Sequence, residues 1–245
     1  MKIIRQTFLS KNIMTLLLTG ALGIASMQAS ALIDDTHLTK AVHSDIRLEK
    51  DIARDVNRKP ANIMAFSNVK EGQTIVDMIA GGGYYSELFS LAVGETGTVY
   101  THMSRADEAR TALFTNMKTL SDFNLADFTG QADLIFTALN YHDTVNSDKF
   151  DRPAMMANIK AHLKEDGVFV IIDHAAAAGS GISDTNTLHR IDKDYVINEV
   201  VSAGFVLDGE SVDLESEKDD HTLKVFDPSM RGMTDRFVLR FKVAK

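Results

Sequence analysis

Along the chain, short runs of consecutive apolar residues alternate with stretches in which apolar residues recur every three or four positions. The runs predict buried strands and the spaced stretches predict helices. "HSDIRLEKDIARDVNR" (43–58) is charged with helical spacing, and Ile46, Ile52 and Val56 form a thin apolar stripe. Pro60 opens a second helix, "PANIMAFSNV", as proline does at a first helical position. "QTIVDMIA" (73–80), bounded by Gly72 and Gly81, is the first buried strand, "YYSELFSLAV" the helix after it, and "GTVYTHM" (97–103) the second strand. A helix is expected from about Arg105, whereas residues 113–130 follow neither period. Beyond them come the strand "ADLIFTALN" (132–140), the helix "RPAMMANIKAHLK" and the strand "GVFVIIDH" (167–174). A small-residue loop, "AAAAGSGISDTNT", leads to the helix "KDYVINEVVSAG", which Asp192 is placed to cap, and to the strand "FVLDGES". "RFVLRFKVA" closes the chain as an edge-like strand.

Strands and helices in this alternation specify an α/β fold, a doubly wound, mostly parallel sheet with helices on both faces. Ligands of such folds bind beyond the carboxyl ends of the strands, where the strand order reverses. The residues at those ends are therefore the candidates for chemistry.

The first 31 residues stand apart from this pattern. Lys2, Arg5 and Lys11 precede a short apolar core, Ile13 to Ala25, and Ala29-Ser30-Ala31 fits a signal-peptidase site. Residues 1–31 read as a signal peptide and residues 32–245 as a single domain that is periplasmic or secreted, without stable membrane insertion after cleavage. The net charge of −8 becomes more negative when the leader is lost, which argues against nucleic acid or anionic lipid as a partner. There is no cysteine, so disulfides are excluded.

At the end of the first strand, Asp77-Met78-Ile79-Ala80-Gly81-Gly82-Gly83 passes directly into a helix. Glycines let a ligand approach the backbone, and the helix start offers free N–H groups and a positive dipole end. "IVDMIAGGGYYSELFS" resembles motif I of the class I S-adenosylmethionine-dependent methyltransferases. "ADLIFTALNYHD" is similar to the fourth-strand motif of that superfamily, "LKEDGVFVIIDH" to its fifth-strand segment, and "LHRIDKDYVINEVVSAGFVLDGES" to its late helix and strand. More narrowly, "NYHD", "LHRID", "DDHTLKVFD" and "RGMTDRF" resemble a group of exported bacterial proteins described as methyltransferases.

The resemblance implies a seven-stranded sheet with the last strand antiparallel, S-adenosylmethionine as cofactor and a small molecule as methyl acceptor. It places Gly81, Gly82 and Gly83 around the cofactor and Asp77 at its amino-acid end. Asn140, Tyr141 and His142 would face the transfer path. Two positions depart from the pattern. Ile79 stands where motif I has its first glycine, and Met103 stands where the superfamily places the acidic residue for the ribose hydroxyls.

His102, His142 and His174 each end a predicted strand, with Asp77, Asn140, Asp143 and Asp173 beside them. His142 or His174 can act as a general base on a substrate hydroxyl or amine. Metal ligation is the competing use, but there is no compact HxH or HxxxH pair, so no residue is assigned to a metal. Tyr84 and Tyr85 line the pocket or pack as core, and the loop before His189-Arg190 is a candidate lid. Arg231 is a candidate anchor for an anionic substrate, and "EKDDHTL" reads as a solvated charge run from which His221 can reach the site. The alternative is a methyltransferase-shaped protein that does not use S-adenosylmethionine, either a small-molecule binder or a histidine- or metal-dependent enzyme.

Overall fold

The computed structural model describes residues 36–245. The expected leader, residues 1–31, lies outside them. No helix among the described residues is long and apolar enough to cross a membrane.

Four short helices come first: α1 (Thr36–Val42), α2 (Glu49–Ile52), α3 (Asp55–Arg58) and α4 (Pro60–Phe66). Then follow β1 (Thr74–Met78), α5 (Tyr84–Val93), β2 (Thr98–Thr101), α6 (Glu108–Thr111), β3 (Met117–Thr119) and β4 (Ala132–Ala138). The chain ends with α7 (Arg152–His162), β5 (Leu163–His174), α8 (Lys193–Ser202), β6 (Phe205–Ser211) and β7 (Arg236–Val243). Seven strands form one sheet in the order β3-β2-β1-β4-β5-β7-β6. β1 pairs in parallel with both β2 and β4, so the order reverses beside it and the switch point lies between β1 and β4.

Continuous apolar runs suit this sheet because alternate residues feed opposite faces. Val76, Ile135, Phe169, Ile171, Leu239 and Phe241 pack into one core layer. Ile75, Leu134, Phe136, Val170, Ile172 and Val238 pack into the other, against α1, α4 and α5. Asp77 falls on this second face, toward α5.

Four expectations need correction. Residues 43–58 do not form one helix, and Ile52 and Val56 are exposed. The buried residues are polar: Arg47 donates to both carboxylate oxygens of Asp55, at 2.6 and 2.7 Å, and to the carbonyl of Val42. Asp55 also accepts from the Tyr84 hydroxyl at 2.6 Å, so an ion pair, not an apolar stripe, holds this segment on α5. The helix expected from Arg105 shrinks to α6, capped by Asp107, and the aperiodic stretch after it supplies the edge strand β3.

The closing strand is not at an edge. β7 inserts between β5 and β6, antiparallel to both, and Phe237, Val238, Leu239 and Phe241 are buried. β6 takes the edge because its sequence turns polar after Leu207.

Residues 212–235, between β6 and β7, hold the fourth correction. Within the charge run expected to be solvated, Asp219 is buried. It receives Arg190 in a two-pronged pair at 2.8 and 3.0 Å, together with the backbone N–H groups of His221 and Asp235. Arg190 is fully buried and spends its remaining donors on the carbonyls of Ala175 and Leu223. Removing one member of such a pair strands a charge, whereas replacing both with apolar groups of similar volume costs little. Asp219→Ala is therefore expected to lower stability by about 3–5 kcal/mol in urea denaturation, and the double variant Arg190→Met/Asp219→Leu to lose clearly less.

Candidate functional site

The backbone leaves β1 through a tight turn. Ile79, Gly81 and Gly83 have φ values of 52°, 62° and 83°, all in the left-handed region. Ile79, the departure from the glycine pattern, thus keeps a glycine-like backbone at a cost of about 1–2 kcal/mol for an L residue. Asn140 holds the turn from the β4 side. Its amide N–H groups donate to the carbonyls of Ile79 (2.8 Å) and Ala138 (2.6 Å).

The three glycines have different neighbours. A Cβ on Gly81 would sit 3.0 Å from the Arg105 guanidinium, and one on Gly83 would sit 2.8 Å from the Met103 sulfur. A Cβ on Gly82 would meet nothing within 4 Å. Gly82 therefore faces open space, while Gly83 and Met103 pack against each other.

That cleft, about 670 Å³, opens beyond the carboxyl ends of β1, β4 and β5. Asp77 lies at its floor, buried, and accepts from the Ser86 hydroxyl at 2.6 Å; Ser86 also contacts the Thr101 hydroxyl at 2.8 Å. Burial pushes the Asp77 carboxyl up to about 7, against the pull of the Ser86 hydrogen bonds and the Arg58 charge. Arg58 lies over the rings of Tyr84 (4.4 Å) and Tyr85 (5.8 Å), and burial lowers its pKa. Both tyrosines are core and cleft wall at once: Tyr85 packs on Phe89 and Phe136 while lining the cavity. Lys50, Arg54, Arg105 and Arg231 complete a basic lining, and Arg58, Arg105 and Arg231 form no ion pair among the described residues. Arg58 and Arg105 were not visible from sequence, since neither belongs to a recognisable motif.

The opposite wall is built from the ends of β4 and β5. His142, at the start of a short 3-10 helix (His142–Val145), is held twice by Asp173. Its backbone N–H donates to one carboxylate oxygen at 2.7 Å and its ring Nδ1 meets the other at 2.8 Å. Its Nε2 lies 3.3 Å from Asp143. Burial works to lower the His142 pKa, but Asp173 and Asp143 outweigh it and raise the imidazole to about 10. His174 is driven the other way, to about 3, by burial, and its Nδ1 is paired with the Thr234 hydroxyl at 2.7 Å.

The sequence grouped His102 with these two, but the chain brings His189 instead. The His189 ring lies 5.4 Å from that of His142, edge to face, and 4.9 Å from Phe226. His102 sits apart against Phe123, its buried Nδ1 without a partner among the described residues. Tyr141 also leaves the cleft: it is a core residue whose hydroxyl donates to Glu199 at 2.5 Å. His221 is paired with Asp235 in a separate, smaller pocket. Asp192 caps α8 as expected, and also ties the preceding loop through the N–H groups of Gly179 and Gly181.

No family model matches the chain, and no curated protein matches it. Solved structures do. A SAM-dependent methyltransferase from Aquifex aeolicus is similar at 19% identity and a TM-score of 0.57, over 78% of this chain and 93% of that one. The CcbJ methyltransferase from Streptomyces caelestis is similar at 11% identity and a TM-score of 0.51, over 75% of this chain and 88% of that one. The glycopeptide N-methyltransferase MtfA, complexed with S-adenosyl-L-methionine, is similar at 13% identity and a TM-score of 0.50, over 76% and 87%. The chain has the class I methyltransferase fold. Within that fold, Asp77 closes β1 and the glycine turn bridges to α5.

The Asp77 shift has a measurable consequence. A carboxyl whose folded pKa is raised binds more protons folded than unfolded, so stability falls as pH climbs from about 4 to about 7. Asn at this position keeps an acceptor for Ser86 without the charge. Asp77→Asn should therefore gain stability over wild type progressively through that window, levelling off above it at no more than about 4 kcal/mol. Parallel thermal melts at pH 5 and pH 8 check this, since an equal gap at both would contradict it.

Proposed function

We propose that the protein transfers a methyl group from S-adenosylmethionine to a small molecule. The observation that carries this reading is that a buried carboxylate, Asp77, the Arg58 guanidinium and the open backbone of Gly82 line one cleft without Asp77 and Arg58 pairing with each other. The amino-acid end of the donor is a zwitterion. Asp77 would hold its ammonium and Arg58 its carboxylate, and a cation beside Asp77 would return that carboxyl to its ionised form. The three glycine positions fit a ligand pressed against the backbone, because only Gly82 opens onto free volume. MtfA, which shares the fold, was solved with S-adenosyl-L-methionine bound, and this supports the same donor here.

When bound, the donor supplies an electrophilic methyl group on a sulfonium. The chain's own residues do the rest. Tyr84, Tyr85 and Asn140 fix the cleft shape. His142, Asp143 and His174, on the wall facing Asp77, place the acceptor's nucleophile. Arg231 and Arg105 favour an acceptor carrying an anionic group.

Calorimetric titration with S-adenosylmethionine tests the reading. Gly82→Val is tolerated by the fold, whose nearest atoms lie beyond 4 Å, yet it fills the donor's space. Binding should weaken at least about tenfold with an unchanged melting temperature, about 1.4 kcal/mol. Met103→Glu adds a carboxylate for the ribose hydroxyls and should tighten binding about tenfold. Silence from both wild type and Met103→Glu at millimolar donor, with both folded, would leave a methyltransferase-shaped binding protein.

The resemblance to exported bacterial proteins and the leader at 1–31 support action outside the cytoplasm. N-terminal sequencing of protein recovered from the cell envelope or medium should begin at Leu32. An intact Met1 terminus in the membrane fraction would contradict export.

A further inference from the structure

From the geometry of the wall facing Asp77 we infer that His142, Asp143 and His189 bind a divalent transition-metal ion. His142 Nε2 lies 3.3 Å from Asp143 Oδ1, which lies 3.7 Å from His189 Nδ1, and all three ligand atoms fall within 4.8 Å of one another. Donors around one ion at about 2.1 Å stand roughly 3.0–3.5 Å apart, so small side-chain adjustments complete the set. Two imidazoles and one carboxylate suit zinc, manganese or iron(II), and not calcium or magnesium, which take oxygen ligands.

A second observation comes from behind the site. Asp173 is wholly buried and binds the Nδ1 of His142, so that an ion displacing the proton between Nε2 and Asp143 meets the Nε2 lone pair. A carboxylate behind a histidine is how metal-binding imidazoles are oriented. Asp173 is itself fixed by the backbone N–H groups of His142 and His174. His189 is delivered by a left-handed backbone, φ 58°, next to the buried Arg190. His142 and Asp143 line the cleft, so the remaining coordination positions face it.

The binding stands on these side chains alone; its role rests on the methyl-transfer reading. There the ion would coordinate the acceptor's oxygen or nitrogen and lower its pKa, so that its proton passes to solvent before the nucleophile attacks.

The test uses chelator-treated, tag-free protein titrated calorimetrically with zinc chloride, without methyl donor. One ion per chain is expected, and magnesium should not compete. His189→Ala and Asp143→Ala should each weaken binding at least tenfold, and Asp173→Asn ten- to a hundredfold. His221→Ala, which alters a histidine–carboxylate pair outside the cleft, should change nothing. Cobalt(II) substitution provides a second readout, as its visible spectrum should change in His189→Ala. Wild-type zinc affinity no greater than that of folded His189→Ala, or loss of binding only in His221→Ala, would overturn the inference. A protein that binds the donor but no metal would sink this site and leave methyl transfer standing; one that binds metal but no donor would do the reverse.

Discussion

The histidine wall of the cleft depends on one buried carboxylate. Asp173, next to last in β5, has no exposure, and its charge is matched by the N–H of His142, the N–H of His174 and the His142 ring. These bonds join the chain leaving β4 to the end of β5, so they fix the backbone and the imidazole together. An ionised group there would be too costly without them. The placement of His142, and through it the relation of His142 to Asp143, follows from satisfying that one charge.

Opposite it, Asp77 is under-satisfied by design of the same sheet. It has the hydroxyl of Ser86 and the field of Arg58, but no direct ion pair, and its proton affinity rises accordingly. The two carboxylates therefore divide the cleft into unlike halves. One is closed on its own protein partners, and the other, bonded to Ser86, has no direct ion pair.

Much of this was legible in the sequence where local chemistry dictates structure. The apolar runs placed β1 and β4 to within two residues and the end of β5, which starts at Leu163 inside the expected helix, and "VDMIAGGGYY" marked the turn at the switch point. What was not legible depended on partners far along the chain. Nothing local in "RFVLRFKVA" says that it enters between β5 and β6. The segment 43–58 was misread because its packing runs through Arg47, Asp55 and Tyr84, while Ile52 and Val56 face water. His189 replaced His102 in the histidine group for the same reason: a loop anchored by Arg190 and Asp219 carries it there, and spacing holds no trace of that pair. Ile79 shows the reverse error. A departure in residue type left the backbone path unchanged, because Asn140 clamps it.

The Arg190–Asp219 pair also bears on how quickly molecules exchange with the cleft. It fastens the loop carrying His189 to the insertion carrying Val225, Phe226 and Arg231, and the N–H of Val225 donates to the carbonyl of Leu188 as a second tie. Neither piece swings aside without exposing a buried charge, so opening this side of the cleft is a local unfolding event. Residence times of bound molecules are then governed by the stability of a contact that touches none of them, and a variant that loosens the pair speeds release before it alters affinity for any one chemical group.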